Sequence, residues 1–256
     1  NGSDRATRGA RHGLRIARVF DSTVHVLGVI DTGRMDSVLD RLKQDHVERI
    51  QRDRESAVEA VAKKARGLGL EVVTKVTDGT PHTLLVDYAE TEDIDFVAMG
   101  TRQPARLERP LLGGVTESMI RTSAAPVLTC REHEQPAVSV EANYDDILIP
   151  TRGGDGAELT IEHGIEIAAR FDATVHVLYV VDIRSMVNIK DEPSIDELLA
   201  DLKSDVTEPV VDRARKAGLD ATATVRQGTP ARDIKEYAAE HDIGLIVMGT
   251  HAQTRL

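Results

Sequence analysis

The chain has 256 residues, 32 Lys and Arg against 43 Asp and Glu, a formal net charge of −11, one cysteine, no tryptophan and 3% aromatic residues. At about 150 residues per domain this length suits one large or two small domains, and the negative charge argues against nonspecific binding to a nucleic-acid polyanion. A single cysteine, Cys130, excludes an internal disulfide framework and a cysteine-based zinc site.

No run of about 18 apolar residues marks a transmembrane helix, so no membrane partner is expected. The first thirty residues lack an apolar stretch ending in a small-residue cleavage site, so a secretory signal is not expected and a cytoplasmic location is. Arginine outnumbers lysine and the acids are scattered, which fits a halophilic protein adapted to high salt or an ordinary acidic one.

In chain order, residues 4–20 place Ala10, Leu14, Ala17 and Val19 at helical spacing. Residues 23–30 (TVHVLGVI) are β-branched and read as a buried strand. Residues 36–67 predict a helix with Val38, Leu39, Leu42, Val47, Ile50, Val58 and Val61 on one stripe, stopped by Gly67 and Gly69. A strand at 71–77, a helix at 81–91, a strand at 96–99, a helix at 115–123 and a strand at 126–129 complete the first half. Residues 131–138 form a polar, proline-containing linker. The second half opens on a short apolar run at 147–150. Ser194-Ile-Asp-Glu197 has capping-box spacing for the start of a long helix. Pro209 either breaks or kinks that helix near Glu208 or opens a new helix at its first position. Strands that alternate with helices and are apolar on both faces imply parallel strands covered by helices, with right-handed crossovers.

An internal repeat organises these elements. HGLRIARVFDSTVHVLGVID (12–31) matches HGIEIAARFDATVHVLYVVD (163–182) without a gap, and TDGTPHTLLVDYAETEDIDFVAMGT (77–101) matches RQGTPARDIKEYAAEHDIGLIVMGT (226–250). Equivalent residues lie 151 apart in the first block and 149 apart in the second. A repeat of about 150 residues is a domain and not a solenoid unit, which predicts domains at 1–135 and 143–256. The second half carries DDILIP (145–150), whose counterpart would precede Asn1, and it stops at Leu256, the counterpart of Leu107. Each domain is thus expected to be incomplete, the first lacking its first strand and the second its last loop, helix and strand.

Ligands of open parallel sheets sit beyond the carboxyl ends of the strands. There Gly113-Gly114 precedes a helix starting near Val115, which makes either a phosphate cradle of backbone N–H groups or an ordinary tight loop. His12/His163 and His25/His176 recur without a second ligand at metal spacing, and read as core or surface residues, so no metal is expected. Cys130 reads as a resting thiol. No catalytic residue is assigned.

Val-Met-Gly-Thr at 247–250, Gly-Thr-Pro at 79–81 and 228–230, the strand-ending Val-Ile-Asp (29–31) and Val-Val-Asp (180–182), and Met-Gly-Thr…Leu-Leu-Gly-Gly-Val-Thr-Glu…Ala-Pro-Val-Leu (99–128) resemble the universal stress protein family over nearly the whole chain, twice. The resemblance implies two repeated doubly wound α/β domains, each a five-stranded parallel sheet of order 3-2-1-4-5 flanked by helices. It also implies pairing through the last strand, as an internal pseudo-dimer of the halves or as a homodimer, with a protein partner of unknown identity. Some members bind ATP and others no nucleotide. Those that bind it carry Gly-x2-Gly-x9-Gly-Ser/Thr. Gly100 and Gly113 match that pattern here, Gln103 replaces its second glycine and Gly114 its Ser/Thr, while the second half keeps Gly249 but has Ala252. The Asp that the family shows after its first strand is replaced by Asn1 and Arg152. On the adenine side Val29 and Val180 would offer backbone groups to the base, with Met99 and Met248 beside it and Pro150-Thr151 opposite. The phosphates would fall to Gly100 and Gly113–Val115 in one half and to Gly249-Thr250 in the other. Arg102, Arg106 and Arg109 either add charge to that site or are solvated loop arginines. The implied function is a non-catalytic stress-response module with a degraded ATP or adenine-nucleotide pocket in each half. The alternative is an adenylating enzyme with a pyrophosphate loop at ThrArgGlyGlyAspGly (151–156), although neither half offers a base–nucleophile pair or an inserted substrate domain.

Overall fold

A computed structural model describes residues 4–31, 44–101, 113–130, 143–182 and 195–250. The chain divides into two compact units, 1–142 and 143–256. The first contains α1 (Asp4–Phe20), β1 (Val24–Asp31), α2 (Gln44–Gly67), β2 (Val72–Gly79), α3 (Pro81–Thr91), β3 (Val97–Gly100), α4 (Gly114–Thr122) and β4 (Val127–Cys130). The second contains β5 (Asp146–Pro150), α5 (Glu158–Phe171), β6 (Thr174–Asp182), α6 (Ile195–Leu202), α7 (Glu208–Lys216), β7 (Ala221–Gly228), α8 (Pro230–Glu240) and β8 (Leu245–Ile246).

Helix ends explain much of the local folding. α1, α3, α5 and α8 each run out into an aspartate with positive φ: Asp21 (52°), Asp93 (50°), Asp172 (53°) and Asp242 (48°). The next residue turns its N–H back onto the helix, as in Ala173 to the Ala168 carbonyl (3.0 Å) and Ile243 to Ala238 (2.9 Å). This left-handed C-terminal closure is usually built on glycine, with aspartate the next most tolerant choice because its short side chain bonds locally. In the second unit a π-turn, Lys203–Thr207, separates α6 from α7, and Pro209 lies in the first turn of α7. The helical run is thus not broken near Glu208: Leu202, Thr207 and Glu208 all keep right-handed helical angles, and the π-turn adjusts the ladder just ahead of the proline. The helical stretch at 36–43 and Ser194 lie outside the described residues.

All strand pairing is parallel, but the two units differ. In the second unit β5 lies between β6 and β8, giving the order β7-β6-β5-β8. Its core joins Leu148, Leu178 and Tyr237, with Val180, Ile234, Ala238 and Ile243 packed around them. In the first unit the described residues form two separate pairs, β1 with β2 and β3 with β4. The expected single five-stranded sheet is thus not what the described residues show. The strand that joins the sheet in the second unit, β5, has no counterpart among those of the first. The first unit's core instead gathers Leu14, Ala65 and Leu70, backed by Ala17, Val24, Val61, Leu68 and Val72.

Equivalent glycines register the difference. Gly164 of α5 lies over β5, where an added Cβ would come 2.5 Å from Ile149 Cδ1. Its counterpart Gly13 of α1 lies over β3, where a Cβ would come 2.7 Å from Ala98 Cβ. The Gly164 position also has Val247 Cβ, the counterpart of Ala98, at 3.7 Å, so the two helices share one neighbour and differ in whether a β5 strand lies beneath.

Candidate functional site

The carboxyl ends of β1 and β3 and the start of α4 open onto one cavity of about 1590 Å³ in the first unit. All six residues singled out there from the sequence line it: Val29, Met99, Gly100, Gly113, Gly114 and Val115. β1 contributes Val29, two residues before its carboxyl end. α4 contributes its N-terminus, where Gly113 is the cap and no side chain bonds the leading N–H groups. Those donors and the helix dipole favour an anion. Nothing lies within 4 Å of a Cβ placed on Gly114, so a larger residue fits there.

Several other wall residues were not singled out as site residues, although Thr101, Asp31 and Thr116 belong to motifs that carried the resemblance. Arg54, on α2, lines the cavity with its Nε buried and without a hydrogen-bond partner. Thr101 also lines it, its N–H and Oγ1 both donating to the Cys130 carbonyl at 3.0 and 3.1 Å. That double bond pair ties the end of β3 to the end of β4. Asp31 and Thr116 are among the further polar residues of the wall. Behind Gly100, α1 comes so close that a Cβ on Gly9 would lie 2.5 Å from the Gly100 nitrogen. Gly100 therefore needs a glycine facing it as well as being one. Arg102, Gln103, Arg106 and Arg109 lie outside the described residues.

In the second unit the predicted residues gather at the carboxyl ends of three adjacent strands. Pro150 is paired with Leu178, two residues before Val180, and the Thr151 N–H donates to the Leu178 carbonyl at 2.9 Å. Thr151 is buried and its Oγ1 accepts the Gly153 N–H at 3.1 Å, folding the loop back. Met248 is 56% exposed, and Gly249 and Thr250 are exposed too. Five of the first unit's six predicted residues are half-buried and Gly114 is exposed, whereas three of the second unit's six are exposed. Ala252 and Asn1 lie outside the described residues; Arg152 is exposed.

The recurring histidines have different surroundings. His25 Nδ1 lies 2.9 Å from the Tyr88 hydroxyl, and His176 Nδ1 lies 3.0 Å from that of Tyr237. A cation covers each tyrosine ring, Lys75 at 5.0 Å and Arg226 at 4.7 Å. His176 also holds Asp146 Oδ1 at 2.9 Å through Nε2. These pairs stand at the amino ends of the strands, away from the glycines. Burial, reinforced by the Arg15 and Arg8 guanidinium groups, holds the His12 imidazole below its ordinary range. Burial pushes the Cys130 thiol up to about 11 against the pull of Arg8 and Arg15, which fits the resting thiol read from the sequence. Among the described residues no three His, Cys, Asp or Glu side chains are grouped to hold a metal ion, and no helix is long and apolar enough to cross a membrane.

Comparison with known proteins agrees with this architecture. Residues 1–131 and 143–256 each match the universal stress protein family. A universal stress protein of Methanocaldococcus jannaschii is 30% identical over 141 residues, which cover 52% of this chain and 78% of that one. One from Methanothermobacter thermautotrophicus is 32% identical over 117 residues, covering 42% and 76%. The crystal structure of a universal stress protein from Archaeoglobus fulgidus shares the fold, with a TM-score of 0.70 at 20% identity over 96% of this chain and 83% of that one. With both halves matched and the α/β units in place, the chain belongs to the universal stress protein family.

Proposed function

We propose that this chain is a non-catalytic stress-response protein whose first unit takes an adenine nucleotide weakly. The observation that carries the reading is the cavity, which brings Val29, Met99 and the Gly100 and Gly113–Val115 backbone to one wall. The base would lie on the β1 side and the phosphates at the α4 N-terminus, and the half-buried Arg54 lines the same cavity. Weakness follows from the sequence. Gln103 puts a side chain where the family resemblance implies a glycine, and Gly114 lacks the hydroxyl that would follow the phosphate charge. Turnover is not part of the reading, because the cavity's hydrogen-bonded His25–Tyr88 pair recurs in the second unit as a buried brace, at 8% and 2% exposure.

Calorimetric titration of MgATP into the wild type and the Gln103→Gly/Gly114→Ser double variant tests this. One added hydrogen bond to a charged oxygen is worth about 1.5–3 kcal/mol, so the variant is expected to bind about tenfold tighter or better. Tight binding by the wild type that the double variant loses, or no binding by either, would overturn the reading.

A further inference from the structure

We propose that Asp146, His176, Tyr237 and Thr224 form a reversible hydrogen-bond chain through which the second unit takes up a proton at His176 in mild acid and keeps its sheet intact. This inference does not rest on nucleotide binding.

The chain crosses four elements. His176 of β6 holds Asp146 Oδ1 of β5 at 2.9 Å through Nε2, and its Nδ1 lies 3.0 Å from the Tyr237 hydroxyl of α8. That hydroxyl in turn lies 3.5 Å from Thr224 Oγ1 of β7. β6 runs between β5 and β7, so the links span three neighbouring strands and the helix packed on them. Tyr237 and His176 are buried, and the Asp146 side chain, 33% exposed, is where the chain meets solvent.

What each atom can give or take fixes how a proton is accommodated. An ionised carboxylate only accepts, so Nε2–H donates to Asp146 in either charge state of the ring. With the ring neutral, Nδ1 accepts the Tyr237 O–H. With the ring protonated, Nδ1–H donates to the Tyr237 oxygen and the phenol proton has to turn elsewhere. The structure gives that hydroxyl one other partner among the described residues, Thr224 Oγ1. A hydroxyl both donates and accepts, so the direction of the chain reverses while every heavy atom keeps its place. The Asp146 bond then becomes charge-assisted, which is roughly twice as strong as a neutral one, and it ties the start of β5 to β6.

The surrounding charges allow the extra proton. Asp146 of β5 favours an imidazolium. Arg226 of β7 opposes it from 4.7 Å over the Tyr237 ring, but Glu240 of α8 pairs with Arg226 and answers its charge. His241, exposed at the end of α8, lies with its ring 4.2 Å from that of Tyr237 and 5.3 Å from that of His176.

The first unit has the brace without the last link. His25 and Tyr88 make the same bond at 2.9 Å, but Lys75 stands at the counterpart of Thr224. Its ammonium lies 5.0 Å from the Tyr88 ring centroid and can only donate. Both His25 and Tyr88 are half-buried, so water serves there in place of a fixed acceptor.

The test reads imidazole nitrogens by NMR and native-state amide exchange on the whole chain, at about pH 7.5 and about pH 5.5, the range in which a histidine changes charge. In the wild type His176 Nδ1 is expected to be protonated at the lower pH, with β5 and β6 protection factors within about twofold of those at the higher. Thr224→Val keeps the shape and removes the acceptor. It is expected to leave protection unchanged at the higher pH and to lower it about tenfold or more at the lower, because a buried donor is then unmet. Thr224→Ser should restore it, and the same loss should persist in a His241→Gln background. An equal loss at both pH values would mean that the hydroxyl is only a brace, and would overturn the proposal. So would no loss at either pH, a loss that vanishes with His241→Gln, or a His176 Nδ1 that stays unprotonated at the lower pH.

Discussion

Removing one hydroxyl from each unit, Tyr237→Phe and Tyr88→Phe, compares the same hydrogen bond at two depths. In the second unit the Asp146 carboxylate accepts from His176 Nε2 at 2.9 Å. An ionised carboxylate only accepts, so Nε2 carries the proton and in the neutral ring Nδ1 is the acceptor for the Tyr237 O–H, 3.0 Å away. Tyr237 is 2% and His176 8% exposed, so no water replaces the lost donor. Leaving a buried acceptor unmet costs about 1–3 kcal/mol. Tyr88 and His25 are only half-buried, so water takes over the bond to His25 and the loss is held to about 0.5–1 kcal/mol. Because a two-unit chain is not a two-state system, the assay is native-state amide exchange, read at β6 amides for one variant and at β1 amides for the other. The expected result is a larger loss of protection in β6. An equal or larger effect of Tyr88→Phe would show that burial does not set the cost.

Asp172→Gly is expected to stabilise the second unit by about 0.5–1 kcal/mol, because a left-handed residue that closes a helix favours glycine; exchange at α5 amides checks it. His12 has a folded pKa below its unfolded value of about 6.5, so its contribution is complete above that pH and is lost as pH falls through the depressed value. His12→Gln should flatten this acid-side loss in the first unit, measured by denaturant midpoints between pH 7 and 4. With its thiol near 11, Cys130 should react with iodoacetamide at pH 8 about a hundredfold more slowly in the native protein than in denaturant. Equal rates would place the thiol at the surface.

The alternation of helices and strands was legible because each element has its own period, and the ends of α3 and β1 fell within a residue or two of expectation. The repeat made the same pattern readable twice. Strand neighbours were not legible: β1 and β3 are apolar whether or not anything lies between them, since pairing is decided by residues far away in sequence. The aspartates that close four helices sat in plain view, two in the repeated Phe-Asp (Asp21, Asp172) and two in the repeated Asp-Ile (Asp93, Asp242), yet a positive φ is usually signalled by glycine. The six residues of the first unit that line its cavity came from the resemblance to the family's binding pattern. Arg54 did not, because one charged residue on a highly charged helix carries no periodic mark. Met248 matched its counterpart in sequence, but sequence could not show that it lies 56% exposed.

The His–Tyr braces stand at one end of the strands and the glycine-lined mouth at the other. His25 is the second residue of β1, and Val29 lies four residues further toward the open end. A substitution at the mouth therefore leaves the brace untouched, and the duplicated halves are free to part company in what they hold while keeping a common way of standing upright. Each half can change what its mouth holds without having to relearn how to fold.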